Sequence, residues 1–157
     1  MTGLATYVGM LHRAEQTLID SFAAIGSAHA ADADLPATFA TLSDLSREHL
    51  RLLGPIADRY GELASGEDIE EPERLHADGL AEGRAGPVGL LRDLQDLYVL
   101  AALLQTTWTV VQQAAQGARD RELIDAAESA TADVGRQLAW LTTRIKAAAP
   151  QALLVAR

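Results

Sequence analysis

The residues of this chain whose types and spacing could do chemistry are His12, Glu15, Glu48, His49 and Arg51. Glu15 matters most, because it occupies a step of an apolar row where leucine would pack better. A lone buried carboxylate is costly and must find a cation, a hydrogen-bond partner or a proton. Two kinds of chemistry would supply one. In the first, His12 and Glu15, three apart on neighbouring turns of one helical face, join Glu48 or His49 as ligands. Imidazole and carboxylate together suit a divalent ion such as iron or manganese. In the second, Arg51 bridges Glu15 and Glu48 while His49 is hydrogen-bonded beside them. The result is a buried polar layer that fixes helix register.

Either arrangement needs helices to bring residue 15 level with residue 51. Leu4, Val8, Leu11, Glu15, Leu18, Phe22 and Ile25 recur at steps of three and four, which predicts a helix from about Thr2 to Ala30. Asp32-Ala33-Asp34-Leu35-Pro36 supplies a polar break. A second row, Phe39, Leu42, Leu45, His49, Leu52 and Ile56, predicts a helix ending near Tyr60-Gly61, bent or weakened at Gly54-Pro55. A hairpin of these two, centred near residue 33, sets Glu15 beside Glu48, His49, Arg51 and Leu52. Gly61 to Gly89 is rich in glycine and carries the acidic run Glu67 to Glu71, so the stretch 61–88 reads as a long connection with at most one short helix, around Pro72 to Leu80. A third helix, about Val88 to Gln116, ends at a Gly117 cap, and Asp120 N-caps a fourth that Pro150 follows. The expected fold is therefore all-α: an antiparallel four-helix bundle forming one domain over 1–157, with a crossover between helices two and three.

In this setting Leu11-His12-Arg13-Ala14-Glu15-Gln16 followed by Ser46-Arg47-Glu48-His49-Leu50-Arg51 resembles the first helical hairpin of the ferritin-like superfamily of ferritins, bacterioferritins and rubrerythrins. A helix-one glutamate is followed, thirty-three residues later, by the glutamate of what would be a Glu-x-x-His pair. The resemblance implies a bundle in which two helices donate a Glu each and the other two a Glu-x-x-His each, holding two metal ions. This chain departs from that set. Arg51 stands where the histidine belongs, and arginine cannot ligate a metal. Helix three offers Gln105, Thr106 and Thr107 in place of a glutamate. Helix four has Glu128, Asp133 and Arg136, and no histidine follows His76. The resemblance thus implies a ferritin-like bundle that has lost its dinuclear centre, with a guanidinium in the place of a ligating imidazole.

Composition narrows the partners. The 157 residues include no cysteine, which removes disulfides and thiolate chemistry, and the net charge of −9 with a single lysine argues against nucleic acid. With 4% aromatic residues and abundant alanine, the chain favours helix over strand. No basic region followed by an apolar one opens the chain, so a cytoplasmic location is expected. Between Asp96 and Arg119 there is no charged residue, yet glutamines and threonines make the span too polar for a lipid-facing helix. A helix covered on both sides fits better, which predicts a homodimer through Gln105, Trp108 and Gln112, without membrane insertion.

The remaining candidates have plainer readings. His29 opposes the dipole at the end of helix one, and His76 is solvated. Asp93 and Asp96 form an acidic first turn that Arg92 or Arg144 would pair. Trp108 and Trp140 anchor the core or an interface, and the tail 150–157 packs on the bundle or docks on another protein. The favoured function is a non-catalytic module working by self-association or partner docking, with no cofactor. One alternative is a metal-binding redox or storage protein using His12, Glu15, Glu48 and His49. Another is a small-molecule binder lined by Trp108, Gln105 and Glu15.

Overall fold

A computed structural model describes residues 3–61, 79–80 and 82–155. They form four long helices: α1 (Gly3–Ala28), α2 (Asp34–Tyr60), α3 (Gly86–Ala118) and α4 (Arg121–Pro150), then one π-helical turn, Gln151–Val155. No strand occurs among the described residues. The expected short helix around Pro72 to Leu80, together with His76, lies largely outside them.

The apolar rows decide how the helices pack. Val8, Leu11, Leu18, Phe22 and Ile25 of α1 are fully buried, as are Leu94, Leu97, Leu104 and Val111 of α3. α1 packs on α2 and α3, and α4 packs on α3 and α2, so each helix has two neighbours around one shared core. Ring contacts tie three of them together, with Phe22 5.2 Å from Phe39 and Phe39 5.5 Å edge-on to Trp140.

Helix ends follow the local chemistry. The Asp120 carboxylate caps α4 by accepting from the Leu123 amide at 3.2 Å. It also accepts from the Tyr60 hydroxyl at 2.6 Å and the Arg59 guanidinium at 3.1 Å, which pins the end of α2 to the start of α4. α3 runs past Gly117, and its cap is Arg119, held left-handed at φ 55° with its amide donating back to Ala115 and Gln116. α2 continues through Gly54-Pro55 to Tyr60, and α4 includes Pro150. The last part of the connection lies along α1. The Leu80 amide donates to Ser21 Oγ at 3.0 Å, and a Cβ on Gly83 would stand 2.2 Å from Ala28 Cβ. Only a glycine fits that approach.

Candidate functional site

All four helices contribute side chains to a hydrogen-bonded row through the middle of the bundle. Glu15 of α1 takes its first partner from α2, where His49 Nδ1 lies 2.8 Å from Glu15 Oε1. α3 supplies the second, with Trp108 Nε1 donating to the same oxygen at 2.9 Å. The other face of the imidazole meets α4, with His49 Nε2 3.0 Å from Asp133 Oδ2. Asp133 Oδ1 then accepts from Arg136 at 2.9 Å, and the row reaches solvent. Glu15, His49 and Trp108 are all 0% exposed, and the Asp133 side chain is 14% exposed.

The protonation state follows from the geometry. An ionised carboxylate can only accept, so between two of them the imidazole donates from both nitrogens, as an imidazolium. Burial alone would push the His49 pKa down. The hydrogen bond and charge of Glu15, then those of Asp133, outweigh burial and raise it. Two carboxylates, one imidazolium and one guanidinium balance in formal charge, which is what lets such a row sit in an apolar core. The chain is not fully satisfied, however. Glu15 Oε2 is buried without a partner. One turn along α4, Gln137 donates to Leu42 O and Ser46 Oγ while its own oxygen is left unpaired.

This arrangement corrects the expected layer. Glu15 and His49 meet as their spacing predicted, but Glu48 and Arg51 do not join them. Their side chains are 47% and 68% exposed, and Arg51 Nε donates to Glu48 Oε2 at 2.8 Å on the surface of α2. That bond holds the Glu48 carboxyl below its ordinary value. The reason is rotational. With His49 facing the core, Glu48 is turned about 100° one way and Arg51 about 200° the other. The cation beside Glu15 is therefore His49, and its second counter-ion is Asp133.

The structure does not gather the metal set that the sequence offered: Glu48 faces solvent, and His12 is only half-buried and outside the row. Among the described residues no three His, Asp or Glu side chains converge as ligands. The small-molecule space expected beside Trp108 and Glu15 is taken by His49, whose ring packs edge-on to the indole at 6.1 Å. Trp108 is thus a core residue and not part of an interface, while Gln105 and Gln112 are half-buried.

Comparison with protein-family models, with curated proteins and with solved structures finds no match. The geometry itself carries the functional reading.

A second buried polar group went unread in the sequence. Asp93, expected to be an acidic first-turn residue, is 1% exposed. Its Oδ2 lies 2.8 Å from His29 Nε2 and accepts the Arg84 amide at 2.8 Å. Arg84 also bridges Asp93 and Asp96 through its guanidinium. Arg144 points elsewhere, 3.5 Å from Asp32. The only sequence signal for this cluster was the i, i+3 pair of aspartates, which an acidic first turn explains equally well.

The raised His49 pKa has a consequence for pH. The folded value lies above the free-histidine value of 6.5, so the imidazolium contributes its full stability below about pH 6.5. That contribution is lost as pH rises through the folded value. The urea midpoint should therefore fall between about pH 6 and pH 9, and His49→Leu should flatten the dependence. A wild-type midpoint that rises over this window, or an identical slope in the variant, contradicts a charged His49.

Proposed function

We propose that this protein is a non-catalytic, ferritin-like bundle that works by self-association through the outer face of α3. In this reading the central ion row takes the place of a dinuclear metal centre and holds four antiparallel helices in register, and the dimer acts in the cytoplasm. The antiparallel arrangement is supported by pairings that run in opposite order along neighbouring helices: Glu15 with His49 and Phe22 with Phe39, Glu15 with Trp108 and His29 with Asp93. No helix among the described residues is long and apolar enough to cross a membrane.

The observation that carries self-association is the outward stripe of α3. Val99 and Val110 are 66% and 50% exposed, with Thr106 and Gln113 exposed on the same face. These four follow one another at steps of seven, four and three, the spacing of a helix seam. Because no charge lies between Asp96 and Arg119, the stripe can face its own copy without like-charge repulsion. A second copy is the partner this symmetry favours.

Size exclusion with light scattering tests it. Wild type should run as a dimer at micromolar concentration, and Val99→Glu with Val110→Glu should convert it to a folded monomer. Both positions are exposed, so helix content should not change. A wild-type monomer, or a dimer indifferent to both substitutions, rejects the reading.

A further inference from the structure

Away from the central row and the α3 face, the described residues also form a cleft with the dimensions and chemistry of a ligand site. A cleft of about 530 Å³ opens at the end of the bundle where the C-terminal end of α1, the start of α3 and the end of α4 meet. Ligand sites for small organic molecules fall in the range of about 300–1,000 Å³. The walls are apolar: Ala28 and Ala31, Pro87 and Leu90 of α3, and Ala147 and Ala148 of α4.

The cation of the cleft is Arg144, and its hydrogen-bonding capacity is under-used. Arg144 Nε is buried without a hydrogen-bond partner. The carboxylates beside the guanidinium stand at loose distances, Asp32 3.5 Å from a terminal nitrogen and Asp34 4.0 Å from Nε, too far for a good hydrogen bond. A buried guanidinium nitrogen with no acceptor is costly, and the acceptor that relieves it best is a planar or tetrahedral oxyanion. His29 also lines the cleft, its ring oriented through Nε2 by Asp93, which leaves Nδ1 outside that bond. Gly86 and Pro87 bring the first turn of α3 to the same wall, and no side chain caps its amides. Asp32 is the one acidic residue of the lining, and it is the group already beside the guanidinium.

We propose that this cleft binds a small amphiphilic oxyanion, a carboxylate or phosphate monoester on a short aliphatic body, with the anion on Arg144 beside His29 and the body against the alanine and leucine walls. The anion replaces the loose contact to Asp32 with charge-assisted hydrogen bonds, and the body removes apolar wall from water. The site shares no residue with the ion row or with the α3 stripe, so it stands apart from the self-association reading.

Calorimetric titration of the full chain tests the proposal with three probes: octanoate, octyl phosphate and inorganic phosphate. At least one of the two amphiphiles should bind saturably at one site per chain, and the tighter of them identifies the head group. Arg144→Gln should weaken that binding at least about tenfold by removing the charge-assisted bonds. Ala147→Phe, at an exposed position of the lining, alters no charged residue and fills the cleft, and should abolish it. Circular dichroism of both variants should match wild type, and Ala147→Phe keeps the test decisive if Arg144→Gln does not fold. The proposal is overturned if neither amphiphile binds, if inorganic phosphate binds as tightly as they do, or if the binding survives Ala147→Phe.

Discussion

Replacing His49 by leucine should cost this protein about 3–5 kcal/mol, the usual loss when one partner of a buried ion pair is removed. The cost arises from what remains. Glu15, 0% exposed and already carrying one unpaired oxygen, would keep only the Trp108 indole N–H as a partner. It would have to take up a proton or draw water into the core, and both are unfavourable. Asp133 loses less, because it is partly exposed and retains Arg136. Against a typical total stability of about 5–15 kcal/mol, the single variant would lose a large share of it while still showing a measurable unfolding transition.

The decisive comparison is the double variant Glu15→Leu with His49→Leu. Replacing a buried ion pair by apolar side chains of similar volume is often neutral, or stabilising by about 1–4 kcal/mol. The double variant should therefore recover most of what His49→Leu loses, giving a coupling energy at the upper end of the 0.5–3 kcal/mol range seen for residues in one network. Urea denaturation with unchanged m-values reads this directly. Additive losses in the two single variants would show that the imidazole and the carboxylate are not energetically paired.

The two halves of this pair were not equally legible. Glu15 announced itself, because a charge on an otherwise apolar row breaks the pattern that builds the helix. His49 was equally visible, as a member of the α2 row. Residue type alone points to the wrong cation. Arg51 looks like the natural partner on residue type, yet it cannot share a face with His49 two positions away. The apolar row that placed His49 in the core already placed Arg51 outside it. Asp133 was harder. It sits on a helix connected to α2 only through the crossover and α3, and no periodicity states which turn of α4 lies level with residue 49. That register emerges from packing, in part from Gln137 donating to Leu42 and Ser46.

The helices themselves were legible almost to their ends, because rows at steps of three and four are long and interrupted only at polar breaks. The discrepancies fall where tertiary contacts override local preference. Arg119 takes a left-handed cap that Gly117 seemed suited for, and the helix gains two further residues before the tight turn into α4. Asp93 shows the same limit. Its burial depends on Gly83 letting the connection pass close against α1, so that the Arg84 amide and the His29 ring both reach one carboxylate. Local sequence carries the helix; long-range approach decides which of its polar residues face inward.

Trp108→Ala should have an effect of similar size, about 3–5 kcal/mol, as expected for truncating a fully buried aromatic side chain. Two losses combine in it: the packing of the indole against the core and the His49 ring, and the N–H that helps satisfy Glu15 Oε1. Trp108→Phe separates them. It keeps much of the ring but removes the donor, and leaving a buried acceptor underserved costs about 1–3 kcal/mol. The alanine variant should therefore lose clearly more than the phenylalanine variant, and the latter should still lose more than a mere change of ring size. With Trp140→Phe as the background, Trp108 is the sole tryptophan. Its emission should then be blue-shifted and resist acrylamide quenching until the protein unfolds, as a ring sealed between the four helices requires. Ready quenching in the folded state, or a loss below about 1 kcal/mol in the alanine variant, would place the indole away from Glu15 and remove the α3 link from the ion row.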